Sequence, residues 1–236
     1  MRLNRTLQQS LLCSAMLIIS LFCTSCCLSL ERRKIGRRRY SICLPPKRPS
    51  DGYRILVFLH GQGGSEHQAH NLWSEYGPKR GYIVAGPAAK GKTWSSGGED
   101  VKFVKKLIKE LQTQYDVPRA RTFLVGHSAG ALACYFYALP NPQNQYAFCA
   151  VNGFCPTQFL PMLQRKEKVD ILLITGEKER NRPSVEQGAS LLRKAGYLVH
   201  SAVVKGAGHG YNRTRYNSII IDWFEGRIAQ LGAGPE

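Results

Sequence analysis

A serine flanked by glycines, Gly126-His127-Ser128-Ala129-Gly130, lies near the middle of the chain. A serine hydroxyl is a weak nucleophile unless a base activates it. The G-x-S-x-G spacing exposes such a hydroxyl where a strand turns sharply into a helix. The apolar segment RTFLVG before Ser128 predicts that strand, and SAGALACYFYAL predicts the helix. We therefore expect Ser128 to be a nucleophile, with the Ala129 N–H directed at the oxygen of a bound substrate.

Two histidines follow Ser128 in the sequence, and one of them is well placed to act as its base. His200 falls inside the predicted strand YLVHSAVV, where we expect a buried or half-exposed side chain. His209 follows that strand in the glycine-rich loop KGAGHGYN, at the sheet edge where Ser128 is also expected. His209 is therefore the predicted general base. We expect His60 to brace its own loop and His127 to be structural.

An acid is needed to hold the histidine in its working tautomer. The carboxylates between Ser128 and His209 are Glu167, Asp170, Glu177, Glu179 and Glu186. Glu167 and Asp170 precede a predicted strand and Glu186 lies within a predicted helix, so none of these is at the correct edge. Glu179 is preferred because it lies far enough into the loop after ILLIT to turn back toward His209, and Glu177 stays open as the alternative. The preceding strand ends in Asn152 and offers no carboxylate.

The segment LHGQGG, residues 59–64, follows an early predicted strand and suits an oxyanion-binding loop. Glycines let its backbone approach a substrate oxygen closely. The N–H of Gln62, next to Gly61, is predicted to form the oxyanion hole together with that of Ala129. Trp94, in the loop AAKGKTWSSGG, is predicted to line the substrate site or, alternatively, to pack beneath its loop. This chemistry requires no metal and no organic cofactor.

Strand and helix patterns alternate from Arg38 to the C-terminus. RILVFLHG is apolar on both faces, as a buried parallel strand must be. EDVKFVKKLIKELQTQY has the apolar spacing of an amphipathic helix, and further helices are expected over Gln68–Lys79 and after Pro156. The predicted fold is therefore α/β, with a mostly parallel central sheet, helices on both faces and no large lid domain.

Residues 1–30 have the layout of a secretory signal, with Arg2 and Arg5 followed by the apolar run Leu11–Phe22. The CTSC segment resembles a bacterial lipobox and predicts lipidation of Cys26. The alternative is an uncleaved anchor, because Ser10–Leu30 is long enough to span a bilayer. We expect export, as a membrane-anchored lipoprotein or a periplasmic or secreted protein.

Residues 31–37 are predicted to be a basic linker, and residues 38–236 the folded domain. The positive charge after the apolar run would by itself favour a cytoplasmic location. The net charge of +17 over 236 residues favours anionic partners such as phospholipid headgroups, or serves only solubility. No nucleic-acid partner is expected, since no basic helix with interleaved aromatics and no zinc-ligand spacing is present. Cys149 and Cys155 either form a disulfide bridge or are buried thiols.

The segments ILVFLHGQGGS, VGHSAGA and GAGHG together resemble the α/β-hydrolase superfamily. More narrowly, the chain is similar to esterases grouped with polyhydroxybutyrate depolymerases, feruloyl esterases and dienelactone-hydrolase-like proteins. The resemblance covers about Arg38 to the C-terminus. It implies hydrolysis of small or polymeric carboxylic esters through an acyl-enzyme on Ser128, with His209 and Glu179 completing a triad, although the family mostly has aspartate at the acid position. The alternatives are a peptidase or acyltransferase with the same triad, and a non-catalytic basic surface protein.

Overall fold

The computed structural model describes residues 30–96, 98–156 and 168–232, and these residues form one eight-stranded sheet. Its strands lie in the order β1-β2-β4-β3-β5-β6-β7-β8. The pairs β1–β2 and β2–β4 are antiparallel, and all the other neighbouring pairs are parallel. The strands are β1 (Glu31–Ile35), β2 (Arg38–Cys43), β3 (Arg54–Leu59), β4 (Tyr82–Pro87), β5 (Thr122–His127), β6 (Ala147–Val151), β7 (Asp170–Gly176) and β8 (Val199–Val204).

Helices cover both faces of this sheet. They are α1 (His67–Trp73), α2 (Glu99–Tyr115), α3 (Ala129–Ala138), α4 (Arg182–Lys194) and α5 (Arg213–Gly232). The apolar residues of α2, α3 and α4 pack in one core cluster, and those of α1 and α5 pack in a second cluster on the opposite face. The predicted fold class, a mostly parallel sheet with helices on both faces, is confirmed, and the described residues contain no lid domain.

The central strands carry apolar residues on both faces because both faces are covered. In β3 every residue after Arg54 is buried, and β4 and β6 are buried throughout. Successive side chains of a strand point to opposite faces, so each of these strands contributes to both core clusters. Burial on both sides fixes the register of the sheet and, with it, the positions of the loops that follow its strands.

The prediction of a basic linker over residues 31–37 is wrong. Glu31–Ile35 forms the edge strand β1, which pairs with β2 from Glu31 opposite Ile42 to Ile35 opposite Arg38. The turn between the two strands contains Gly36, whose φ of +59° favours glycine. Burial alternates along β1 and ends in the buried Ile35, so half of this charged segment faces the core. Because four of its five residues are charged, the sequence does not show the alternation of inward and outward side chains that is typical of a strand.

One further expectation differs from the structure. The helix expected over Gln68–Lys79 is shorter: α1 ends at Trp73, and a separate 3₁₀ turn, Pro78–Arg80, follows Gly77. A Cβ at Gly77 would clash with the side chain of Val84, so the close approach of this turn to the sheet requires glycine.

All the cysteines within the described residues, Cys43, Cys134, Cys149 and Cys155, are buried and free. Of the two alternatives for Cys149 and Cys155, the structure therefore contains the buried thiols and not the bridge. Burial raises the pKa of the Cys43 thiol to about 11 and that of Cys155 to about 12, and such thiols are inert at neutral pH.

Several expectations lie outside the described residues. The predicted signal or anchor of residues 1–30, apart from Leu30, and the predicted lipidation site Cys26 are among them, as is most of the segment in which a helix after Pro156 was expected. Within residues 30–96, 98–156 and 168–232, no helix has the length and apolar character needed to cross a bilayer.

Candidate active site

Ser128 occupies a sharp turn between β5 and α3. Its φ of +55° and ψ of −116° are rare for a residue with a side chain. The turn brings the start of α3 so close to the sheet that a Cβ at Gly126 would clash with the Gly130 backbone, and a Cβ at Gly130 would clash with the Leu59 carbonyl. Both glycines of the G-x-S-x-G spacing are therefore required by the geometry, and the hydroxyl is held at the carboxyl end of β5.

Three loops that follow different strands meet at Ser128. His209, after β8, places Nε2 at 2.9 Å from Ser128 Oγ. Its Nδ1 lies 2.7 Å from Oε2 of Glu179, which follows β7. With the proton on Nδ1, the ring donates to the carboxylate and its Nε2 accepts from the serine hydroxyl. The arrangement is thus a continuous hydrogen-bonded series from a buried carboxylate to a hydroxyl at the surface.

The two candidate carboxylates after β7 have different partners. The Glu179 side chain is 2% exposed, and its second oxygen, Oε1, accepts a hydrogen bond from the Asn181 N–H at 3.0 Å. Glu177 is exposed, and its Oε2 accepts from the Gly206 N–H at 2.8 Å instead. Glu179 is therefore the one that lies beside His209, and both of its oxygens are engaged, which fixes the orientation of the carboxylate.

The loop after β3 runs alongside Ser128. A Cβ at Gly61 would lie 3.7 Å from the Ser128 Cβ, so the backbone passes within van der Waals reach of the serine. The loop is held by hydrogen bonds from the Gly63 N–H to the Lys92 carbonyl and from the Gly64 N–H to the Gly61 carbonyl. Among the described residues, the N–H groups of Gln62 and Ala129 have no hydrogen-bond acceptor. Both N–H groups remain available to a bound ligand.

His60 braces this loop from below. It is buried, its Nδ1–H donates to the Gly61 carbonyl at 2.8 Å, and its Nε2 accepts from the Ala89 N–H at 3.2 Å. Burial lowers the pKa of His60 and favours the neutral ring that this pair of bonds requires. The sequence-based expectation of a bracing role agrees with these contacts.

Trp94 also stabilises the loop after β3. Its indole N–H donates to the His60 carbonyl at 2.8 Å, and the two rings lie 4.9 Å apart. The side chain is 7% exposed. A residue with so little accessible surface can make few contacts with a substrate. The structure therefore does not place Trp94 in the wall of the substrate site. Its position is the alternative one, packed beneath the loop.

His127 and Asn152 hold the histidine loop by its backbone. The His127 Nε2 bonds to the His209 carbonyl at 2.8 Å, and Asn152 Nδ2 donates to the carbonyls of Gly208 and His209 at 3.1 and 3.0 Å. The Asn152 Oδ1 accepts from the Gly176 N–H at 2.9 Å, at the start of the loop that carries Glu179. The buried side-chain amide of Asn152 therefore connects the loop that carries Glu179 to the histidine loop.

Sequence reasoning considered Asn152 only as a position without a carboxylate and missed this role. The signal available was an asparagine directly after a predicted strand, in a position where a left-handed conformation is tolerated by asparagine better than by most residues. Its φ is indeed +51°. No group of three or more His, Cys, Asp or Glu side chains within the described residues is arranged to hold a metal ion.

Comparisons with known proteins agree with this fold. Residues 79–154, which include the Ser128 turn, match a family model described as an alpha/beta hydrolase of unknown function, DUF915. The solved structure of S-formylglutathione hydrolase FrmB from Staphylococcus aureus is similar, with a TM-score of 0.67, 12% identity and coverage of 85% of this chain and 98% of that one.

Two relatives are similar in sequence. One is named probable feruloyl esterase C, from Aspergillus clavatus, 26% identical over 128 residues that make up 50% of this chain and 47% of that protein. The other is the bifunctional acetylxylan esterase/xylanase XynS20E of Neocallimastix patriciarum, 25% identical over 121 residues, or 49% of this chain and 18% of that protein. The chain thus matches less than half the length of each of these relatives.

Proposed function

We propose that this chain, which has the α/β-hydrolase fold, is a serine carboxylesterase that works through an acyl-enzyme on Ser128. The observation that carries the proposal is the hydrogen-bonded series Ser128–His209–Glu179, with distances of 2.9 and 2.7 Å. This is the geometry by which an imidazole removes a proton from a serine hydroxyl while a carboxylate stabilises the resulting imidazolium.

In the first half of the reaction, Ser128 Oγ attacks the ester carbonyl carbon as its proton passes to His209 Nε2. The tetrahedral intermediate then collapses, the bond to the alcohol oxygen breaks, and His209 returns the proton to the leaving alcohol. In the second half, water attacks the acyl-enzyme, its proton passes to His209 and then to Ser128 Oγ, and the carboxylic acid leaves.

The negative charge that develops on the carbonyl oxygen needs hydrogen-bond donors. The N–H groups of Gln62 and Ala129 are the proposed donors, since both are free of acceptors in the described residues. Ala129 directly follows Ser128, and Gln62 follows Gly61, whose backbone passes the serine. A donor of this kind stabilises the transition state by about 3 kcal/mol. His60 and Trp94 keep the Gln62 loop in position through the hydrogen bonds that they make to its backbone and to each other.

An ester substrate is favoured over an amide by the names of the relatives, both of which are esterases. The test compares p-nitrophenyl acetate, methyl ferulate and a peptide p-nitroanilide with the purified chain. We expect turnover of one or both esters and little turnover of the anilide. Anilide turnover equal to that of the esters would contradict the ester assignment, and the absence of any turnover together with no labelling by a fluorophosphonate would contradict the enzyme assignment.

Glu179 and Glu177 offer a matched pair of variants. Glu179→Gln keeps the size of the side chain but removes the charge that stabilises the imidazolium and fixes its tautomer, so we expect kcat/KM for p-nitrophenyl acetate to fall by about 10³- to 10⁴-fold. Glu177→Gln removes the same charge from the same loop, two residues away. It should change kcat/KM less than threefold, because an exposed charge contributes little interaction energy. A larger loss in Glu177→Gln would move the acid assignment to that residue.

Asn152→Ala tests whether catalysis requires the hydrogen bonds that Asn152 makes to the backbone of the histidine loop. The substitution removes the bonds to the Gly208 and His209 carbonyls and to the Gly176 N–H. We expect kcat to fall about 10- to 100-fold with a smaller change in KM, because a small displacement of the base is costly for proton transfer. The control is Asn141→Ala, which removes the hydrogen bond that the Asn141 side-chain amide donates to the Tyr137 carbonyl at the end of α3. Equal kcat values in the two variants would contradict a positioning role for Asn152.

A further inference from the structure

The hairpin of β1 and β2 concentrates positive charge at the sheet edge nearest the N-terminus. Its cations are Arg32, Arg33, Lys34, Arg37, Arg38 and Arg39. Because side chains alternate along a strand, the cations divide between the inward face, which packs against α2, and an outward face. The two sets have different surroundings.

The inward cations are paired. Arg33 lies 2.6 Å from the Glu31 carboxylate and donates to the Tyr115 hydroxyl at 2.9 Å. Arg38 lies 2.5 Å from the Asp100 carboxylate, and its guanidinium also stands 4.4 Å from the centre of the Phe103 ring. Each of these cations has a partner that accounts for its position in the fold.

The outward cations are not compensated in the same way. Lys34 lies directly opposite Arg39 in the strand register, and Arg32 is two residues before Lys34 on the same face. All are exposed, as is Arg37 in the turn. Arg39 lies 3.5 Å from Glu66, but within the described residues Arg32, Lys34 and Arg37 have no carboxylate within 4.0 Å. Residues 1–29 supply none, since their sequence contains no Asp or Glu.

Like charges directly opposite each other destabilise a strand pair. The outward face therefore carries a repulsion that the Arg39–Glu66 ion pair offsets at only one of its four cations. An anionic surface lying against the face would relieve the rest. The sequence before the hairpin favours a lipid surface as the partner, because the apolar run Leu11–Phe22 ends ten residues before Arg32. Ten residues span at most about 35 Å, so a bilayer holding that run is within reach of the hairpin.

We propose that the outward face of the hairpin, formed by Arg32, Lys34, Arg37 and Arg39, docks on an anionic lipid surface. The apolar run of the same chain brings the face to the membrane, and the charges orient the domain upon it. Each cation near such a surface strengthens binding about fivefold at low salt. This docking does not depend on the proposed esterase activity.

The test uses the full chain reconstituted in vesicles, one set of phosphatidylcholine alone and one containing phosphatidylglycerol. An amine-reactive reagent followed by mass spectrometry gives the modification rate of Lys34 and, in the same molecules, that of Lys194 on α4, which packs against β7 and β8 at the far side of the sheet. We expect Lys34 to react several-fold more slowly on the anionic vesicles and to recover in about 1 M salt, where the Debye length is about 3 Å. Lys194 should react alike on both.

A charge variant tests whether the cations themselves cause the protection of Lys34. Arg32→Gln/Arg37→Gln should weaken docking about 25-fold and restore most of the Lys34 reactivity. The control Lys194→Gln/Lys205→Gln, which removes the same charge elsewhere, should not. Equal Lys34 rates on the two vesicle types, or protection by soluble polyglutamate but not by vesicles, would overturn the proposal. The charges would then only prevent the exposed edge strand from pairing with other chains, or bind a soluble polyanion.

Discussion

Replacing Ser128 by alanine is expected to lower kcat/KM for p-nitrophenyl acetate by about 10⁴- to 10⁶-fold. The loss follows from the position of the hydroxyl, which the turn between β5 and α3 holds 2.9 Å from His209 Nε2. Without Oγ no acyl-enzyme can form, and only the weak catalysis supplied by binding and the oxyanion donors remains. The measurement is steady-state hydrolysis, with far-UV circular dichroism to show that the variant is folded.

Ser218→Ala is the matched control for this change. Ser218 lies on the exposed side of α5 and, within the described part of the chain, donates only to the Thr214 carbonyl of its own helix. Its loss should leave kcat/KM within twofold of the wild type. A Ser128→Ala variant that keeps a tenth or more of the wild-type rate would exclude Ser128 as the nucleophile.

The second large effect is expected at His209. His209→Ala removes the group that takes the proton from Ser128 and returns it to the leaving alcohol, so kcat/KM should fall by about 10⁵-fold or more. Because the two residues act as a unit, the double variant Ser128→Ala/His209→Ala should lose no more activity than either single variant. The kcat values of the three variants measure this non-additivity directly.

His200→Ala provides the control for the second change. His200 is exposed on β8 and contacts Arg227 and the Trp223 ring on α5, away from the serine. We expect its removal to leave the kinetics of hydrolysis unchanged. If His200→Ala were as inactive as His209→Ala, the base would have been assigned to the wrong histidine.

The sequence was sufficient to predict the fold and the residues that meet at its edge. Buried strands are recognisable because they are apolar on both faces, and chemistry-bearing residues that directly follow such strands must gather at one rim. Ser128, Glu179 and His209 could be selected in this way without coordinates. The sequence separates Glu179 from Glu177 only by their distance into the loop, because residues two positions apart in a loop differ only in how the loop turns.

Contacts made through the backbone could not be predicted. Asn152 and His127 hold the carbonyl oxygens of the histidine loop, and a carbonyl is the same in every residue, so no residue type marks the acceptor. The role of Trp94 was open for a similar reason, since an indole suits both a substrate wall and a buried donor. In β1 the density of charge concealed a strand, because only Ile35 is apolar among its five residues.

In the proposed reaction, Ser128 Oγ forms the covalent intermediate. The most direct measurement is reaction of the folded chain with a fluorophosphonate, followed by mass spectrometry of the intact protein and of its peptides. We expect one adduct per chain, on the peptide containing Ser128, and none in His209→Ala. An adduct on another residue, or undiminished labelling of Ser128→Ala, would show that Ser128 is not the nucleophile.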